Sequence, residues 1–366
     1  MSEQTQEPTI TLDRVNTPPA QTWNYLRAND ISLTVPNRPR QGTTRADLPR
    51  LFGSVECGMG QAVTQWVESQ AGDALYWEVR SGEDAEPIVI DVDAVKGDIV
   101  DAGIIVRAGA QANILIHHHG STPIGGTSAV LLRVIAERGS HVRLREIVVG
   151  DGVGQRIESV GITCGNGAQV DARQFFLAAG TTAAGFAAAL DGDASRIDLT
   201  ARYLGVNHDT LDINHVVRQR GQRTKSNVLE SGVLDDAARK SLRATIDLIH
   251  GAHGAEGSEL ESVLVLGDDV VNKTMPVILC DEDNVAGNHG ASIGSVGPDQ
   301  IRYLRNRGLS EREAEDLYVR ALFDDALIAA EMDDVRSRVV ARAKTVLGEG
   351  IVEDLIDFDD AQAKEA

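Results

Sequence analysis

Aromatic residues are scarce. Three Trp, five Tyr and six Phe make up 4% of 366 residues, although 42% of the chain is hydrophobic. Any core must therefore be aliphatic, built from Val, Ile, Leu and Ala, and a substrate groove lined with aromatic side chains is disfavoured. Cysteine is nearly absent: Cys57, Cys164 and Cys280 match no zinc pattern in number or spacing and read as free thiols. Basic residues are outnumbered, 35 against 55 acidic ones, for a net charge of −20. Such a surface repels phosphate backbones and anionic lipid, so no nucleic acid and no membrane surface is expected as a partner. No apolar run reaches the length of a membrane span, and the first twenty residues lack the apolar centre of a secretion signal, so a cytoplasmic protein is expected. No P-loop and no H-E-x-x-H motif occurs, so neither nucleotide hydrolysis nor zinc-peptidase chemistry is expected of this chain.

What the chain has instead is glycine, 36 residues of it, spread among short β-rich runs. Leu75–Val79, Ile88–Val92, Ile104–Val106, Ile114–Ile116, Val130–Ile135, Val142–Val149 and Ile162–Cys164 follow one another, broken by Gly, Asp and Asn. Small residue pairs recur before alternating strands at 109, 139, 167 and 194, in steps of 30, 28 and 27. A period of that size with interchangeable turn residues indicates a solenoid, here a parallel β-helix read with two short coils per repeat. The Ala-rich stretch Ala178–Leu190 is the one place where a helix competes. Three regions result: 1–72, a polar tail followed by a partly helical region that includes Ala20–Leu26; 73–297, the β-helix; and 298–366, helical with an acidic frayed end. In the last region Pro298–Arg307 reads as a helix stopped by Gly308. Ser310 and Glu313 form a capping box opening a second helix through Leu317, Tyr318 and Leu322. A third helical stretch runs through Leu327, Ile328, Met332, Val335 and Val339. These helices are expected to cap the open end of the solenoid, whose backbone is otherwise unpaired.

Few residues announce chemistry. Asp91, Asp93, Asp98 and Asp101 have no basic partner recurring at coil spacing and read as solvated. His117 and His119 share one strand face and His118 takes the other. They read as an exposed strand end, with weak transition-metal binding as the alternative. His208 and His215 read as structural, as do Cys57 and Cys164. Cys280 closes the run Pro276–Leu279, nine residues before His289. It reads as an ordinary buried cysteine, unless one turn of chain brings the two onto adjacent coils, since thiolates are the usual iron–sulfur ligands.

From 215 to 323 several phrases occur in a specific order: Ser231–Arg239, Met275–Leu279, Asp283–Val285, Asn288–Gly294 and Tyr303–Ala314. Together they resemble the core of the SufB/SufD family of iron–sulfur cluster assembly proteins. The resemblance implies a right-handed parallel β-helix with helical N-terminal and C-terminal regions. It implies a scaffold rather than an enzyme, holding a transient iron–sulfur cluster shared with a partner and no permanent cofactor. The implied partners are a SufC-like ABC ATPase, which carries the ATP chemistry, and a SufB-like subunit or a second copy of this chain as a dimer. His289 falls on the family's cluster-site histidine. His289-Gly290-Ala291 lacks the following carboxylate of SufB-like members, which favours SufD. Cys280 falls on no family cysteine and stays a candidate ligand only. The ATPase would dock on the helical signature, with Tyr303, Leu304, Arg307, Gly308 and Leu317. A carbohydrate-active β-helix enzyme and a metal-free interaction module are the alternative readings.

Overall fold

The computed structural model describes residues 8–20, 28, 30–38, 45–82 and 86–349. Two eight-stranded parallel sheets face each other. The first holds β3 (Leu75–Val79), β5 (Ile99–Val106), β7 (Thr127–Ala136), β9 (Gln155–Cys164), β11 (Thr181–Leu190), β13 (Thr210–Gln219), β15 (Arg239–Leu248) and β17 (Val271–Cys280). The second holds β4 (Ile88–Asp93), β6 (Gln111–His119), β8 (His141–Val148), β10 (Gln169–Phe176), β12 (Arg196–Gly205), β14 (Lys225–Leu234), β16 (Glu256–Val265) and β18 (Ala286–Gly294). Consecutive strands alternate between the sheets, so the chain winds as a parallel β-solenoid. The predicted repeat is real, but each repeat is one coil of two strands, not two coils: Gln111, His141, Gln169 and Arg196 are successive register partners. The turn before these strands places a residue at positive φ in six successive coils: Gly109, Gly139 and Gly167, then Ala194, Arg223 and Gly254. Each donates its N–H to the next coil, as Gly139 does to the Asn166 carbonyl oxygen (2.8 Å). Stacking thus holds even Ala and Arg in a conformation that glycine adopts at no steric cost.

Alternation along each strand sends every second side chain inward. Ile114, Leu144, Ala172, Leu199 and Val228 form one such row, all buried, in an aliphatic interior that matches the scarcity of aromatics. β11 is the Ala-rich stretch. Its small side chains suit a strand covered on both faces, and neighbours at 26 and 29 residues' distance hold it extended against its helical preference.

The outer face of the first sheet is covered by the N-terminal region. Its beginning, expected to be loose and then mostly helical, contains an antiparallel hairpin of β1 (Thr9–Val15) and β2 (Ile31–Pro36). Helix α1 (Gln61–Gln70) follows. The expected helix at Ala20–Leu26 lies, from residue 21 on, outside the described residues. Leu12, Val35, Val63 and Trp66 pack on Leu131, Ile157 and Ala183 of the sheet. Between them residues 56–59 cross the strands in backbone contact: a Cβ at Gly58 would lie 2.1 Å from the Phe186 nitrogen, and one at Gly185 2.5 Å from the Gly58 carbonyl carbon. Only glycine fits at either position.

Three C-terminal helices follow, α2 (Pro298–Asn306), α3 (Glu311–Ala329) and α4 (Asp333–Leu347), and α3 and α4 cover the outer face of the second sheet. The capping box is formed: the Glu313 N–H donates to Ser310 Oγ (3.2 Å), and the Ser310 N–H to Glu313 Oε2 (2.7 Å). Gly308 takes the expected positive φ. Leu327 and Ile328 belong to α3, and the chain breaks at 330–332 before α4. The helices do not cap the solenoid end. Val319, Phe323, Val335 and Val339 pack alongside, on outward-facing Leu115, Ile147, Phe175 and Leu204. Burying this larger apolar face outweighs covering one strand edge. The expected acidic frayed end lies, from residue 350, outside the described residues.

Candidate functional site at the open end of the solenoid

β17 and β18 end their sheets, with no strand beyond them among the described residues. β18 is almost wholly exposed, whereas β17 is mostly half-buried, with Met275 and Val277 buried and Cys280 exposed. Register decides which side chains face the interior here. His289 pairs with Glu259, and so extends the inward row from Leu199 and Val228 to the mouth. Cys280 pairs with Leu248 and extends the inward row of Cys164 on the opposite sheet. The two candidate ligands therefore share the terminal coil instead of lying on adjacent coils. Gly287 faces Ile278 across the interior, a Cβ there lying 3.3 Å from Ile278 Cγ2, with Cys280 toward the turn and His289 away from it. Cys280 is exposed, contrary to the buried reading, and its thiol donates to the Glu282 carbonyl oxygen (3.3 Å). Cys57 and Cys164 are buried, and burial pushes both thiols up to about 12, which removes them as nucleophiles or ready metal ligands at neutral pH.

Behind the mouth the interior is not uniformly apolar. At the far end His118, buried on the inward face, contacts Glu158 through Nδ1 and Ser128 Oγ through Nε2 (2.7 Å). Glu158 lies against Glu146, which accepts from Gln174 Nε2 (2.5 Å). Nearer the mouth His215 Nδ1 and Glu230 Oε1 are 2.8 Å apart, and Glu230 lies against Glu259. Beside them Glu261 accepts from Tyr203 Oη (2.6 Å) and Lys240 Nζ (2.5 Å), and Lys240 also donates to Thr274 Oγ1 (2.9 Å). Burial pushes Glu158 and Glu230 up to about 8. Burial, and then the neighbouring Glu230, take Glu259 up to about 9. Burial likewise takes His215 down to about 4. Each carboxyl pair therefore holds a proton at neutral pH, as close carboxyls must. In this group only Glu261 and Lys240 form a buried ion pair. The arrangement is a column of neutral, proton-bearing groups ending beneath the exposed His289 imidazole.

Sequence reasoning missed this column, although it left a trace. Glu146 and Glu230 occupy the apolar parity of their strands, in Val142-x-Leu144-x-Glu146-x-Val148 and Val228-x-Glu230. The histidine run is not an exposed strand end: coil stacking and the helices above bury His117, His118 and His119 alike. Asp101 is not solvated either, being 1% exposed and bonded to Arg133 Nη2 (2.7 Å) and Arg45. His208 sits in a turn and His215 in β13, so no single strand carries both. Gly290-Ala291-Ser292-Ile293-Gly294 spells G-x-S-x-G, but Ser292 lies within a strand and not on a strand-to-helix elbow, so it has no nucleophile geometry. Of the residues expected to dock an ATPase, Tyr303 and Leu317 are 55% and 42% exposed, Arg307 and Gly308 are exposed, and Leu304 is half-buried. Arg307 lies over the Tyr303 ring at 4.9 Å. No helix among the described residues is long and apolar enough to cross a membrane.

Comparison with known proteins bears on this geometry. Residues 92–322 match a family described as SUF system FeS cluster assembly, SufBD core domain, from the end of β4 into α3. The chain is 28% identical to the iron–sulfur cluster assembly protein SufD of Bacillus subtilis over 152 residues, covering 42% of this chain and 35% of that protein. It is 23% identical to SufD of Escherichia coli over 153 residues, covering 42% and 36%. A SufBD family protein of Mycobacterium leprae is 26% identical over 318 residues, covering 79% and 77%. The match thus spans about a third of the two SufD proteins.

Proposed function

Since the chain belongs to the SufB/SufD family of iron–sulfur cluster assembly proteins, we propose that it is a non-enzymatic scaffold on which a cluster is built at the open solenoid end, together with an ABC-type ATPase. The family match carries the reading, because it covers the mouth, the polar column and the start of the helical region at once. The nascent cluster is cargo. His289 offers it an imidazole nitrogen, and Cys280 is the thiol on the same coil. The unpaired edges of β17 and β18 favour pairing with a second chain, a SufB-like subunit or another copy, which would close the mouth around the cluster. Gly290 in place of a carboxylate supports the SufD-like assignment.

The ATPase docks on α2 and α3 through Tyr303, Leu304, Arg307, Gly308 and Leu317. Movement there reaches the coils near the mouth through two ion pairs of α3: Arg312 with Asp235 (2.8 Å) and Asp325 with Arg202 (2.9 Å). The test is co-expression with a SufC-like ATPase followed by size-exclusion chromatography. Deleting 298–366 would strip the cover from the second sheet, so point variants are the sounder choice. Wild type is expected to co-elute, Leu317→Asp with Tyr303→Ala to separate, and His289→Ala to co-elute but retain less iron after anaerobic reconstitution. Separation of the wild-type pair at micromolar concentration would refute the ATPase partnership. Unchanged iron in His289→Ala would remove that residue from the site.

A further inference from the structure

A second cluster of potential ligands lies far from the mouth, on the outer face of the second sheet at its first two strands. Asp91 of β4 is the register partner of His117 of β6, and Asp93 that of His119. Because Ile90, Val92, Ile116 and His118 point inward, Asp91, His117 and His119 share the outer face. The corresponding row continues on the next coils as Ile147 and Phe175, both packed beneath the C-terminal helices. Two imidazoles thus occupy a place where the fold otherwise puts hydrocarbon.

Both imidazoles converge on one carboxylate. His117 Nδ1 is 3.0 Å from Asp91 Oδ1, and His119 Nε2 is 3.2 Å from Asp91 Oδ2. The rings lie 4.6 Å apart at a 30° tilt. One donor atom from each of the three residues falls within 4.8 Å of the others. The two histidines are 1% and 5% exposed, whereas the Asp91 side chain is 56% exposed and leaves a path from solvent. The other nitrogen of each ring, His117 Nε2 and His119 Nδ1, is buried without a partner. Arg338 of α4 is a cation acting on His117, and Asp93, held by Lys96 (3.0 Å), is an additional anion beside His119. Three ligand atoms of types that bind transition metals are thus gathered beside solvent, in a row that is otherwise apolar.

We propose that Asp91, His117 and His119 form a binding site for one divalent transition-metal ion of borderline softness, such as Zn(II), Fe(II) or Co(II). Donors 3.0–3.2 Å apart have the spacing of adjacent ligands on a metal at about 2.0–2.2 Å. Two imidazoles and a carboxylate select such ions over Mg(II) and Ca(II) and leave coordination positions open. Binding conserves charge on the rings: the metal takes the place of the two imidazole protons now shared with Asp91, and each proton moves to the other nitrogen of its ring. The ion joins the first strand of the second sheet to its neighbour, and so staples the N-terminal coils beside α4. Neither moved proton finds an acceptor. A hydrogen bond from the outer nitrogen of a ligating ring strengthens a site by about 10–100-fold, so affinity falls short of a closed structural zinc site.

The experiment uses the full chain carrying Cys280→Ser and His289→Ala, so that the mouth contributes no ligand. After chelator stripping, it is titrated with Co(II) under anaerobic conditions. The readouts are d–d absorption, bound metal after equilibrium dialysis, and the shift in apparent melting temperature. One Co(II) per chain is expected, with a raised melting temperature. Asp91→Asn, at a half-exposed carboxylate whose loss leaves the fold intact, is expected to weaken binding about 10-fold or more and abolish the thermal shift; His119→Gln should do the same. No Co(II) retained by the background protein would overturn the proposal. So would binding unchanged by Asp91→Asn, which would point instead to another site such as exposed His253 with its buried partner Glu282, 3.1 Å apart at another turn.

Discussion

Replacing Asp212 by alanine is expected to destabilise the protein by about 3–5 kcal/mol, as removal of one partner from a buried ion pair does. Asp212 faces outward from β13 beneath the N-terminal region, and its carboxylate receives Arg243 Nη1 (2.8 Å) and Nη2 (3.0 Å) and Asn16 Nδ2 (2.7 Å). Arg243, fully buried, also donates from Nε to the Ala28 carbonyl oxygen (2.6 Å). Without Asp212 a guanidinium stays buried beside a single carbonyl, and the chain after the first hairpin strand loses its anchor on the solenoid. Chemical denaturation of Asp212→Ala against wild type measures the loss. The double variant Asp212→Leu with Arg243→Met should recover most of it, because removing both charges leaves none uncompensated. A cost below about 1 kcal/mol for the single variant would mean that the pair does not hold the N-terminal region.

The second large effect is a fall in stability between about pH 6.5 and 8.5. Glu158 and Glu230 have folded pKa values of about 8 and Glu259 of about 9, against 4.5 for a free glutamate. A raised carboxyl pKa contributes stability fully present below the unfolded value and lost as pH rises through the folded one. Over that interval the unfolded chain is ionised while the folded interior keeps its protons. Each such group costs about 1.4 kcal/mol per pH unit until it ionises in the folded state too. His215, lowered to about 4 from 6.5, acts the opposite way, its contribution being lost as pH falls between those values, so it does not offset the alkaline decline. The apparent melting temperature should drop by roughly 10 °C across the two alkaline pH units. Glu230→Gln, which keeps the shape of the neutral acid, should flatten that slope by about one carboxyl's share. A midpoint constant across this range would show that the interior carboxyls ionise freely.

Much of the solenoid was legible in local sequence. The small pairs at 109, 139, 167 and 194 mark residues that must take left-handed backbone angles or neighbour one, and their spacing is the coil length itself. Ser310 with Glu313 marks the start of α3, because a capping box closes within four residues. The ligand positions of the mouth were only half legible. His289 and Cys280 could be singled out by resemblance and by type, but whether they face inward depends on register with Glu259 and Leu248, about thirty residues away.

By itself, then, the sequence determined the repeat, its parallel-strand character, the aliphatic interior, the helical C-terminal region and the family, since each rests on short-range pattern or ordered motifs. Only the tertiary structure decided which faces are covered. Thr181–Leu190 became β11 because flanking coils hold that stretch extended. The hairpin from residue 9 formed on a sheet whose outer face is apolar. The C-terminal helices lay along the solenoid and left its end open, because Leu115, Ile147 and Phe175 present more apolar surface than the last strand edge does. The placement of Asp91 beside His117, and of Glu230 beside His215 and Glu259, is likewise a product of coil stacking, which brings residues 15 to 29 positions apart into hydrogen-bonding distance.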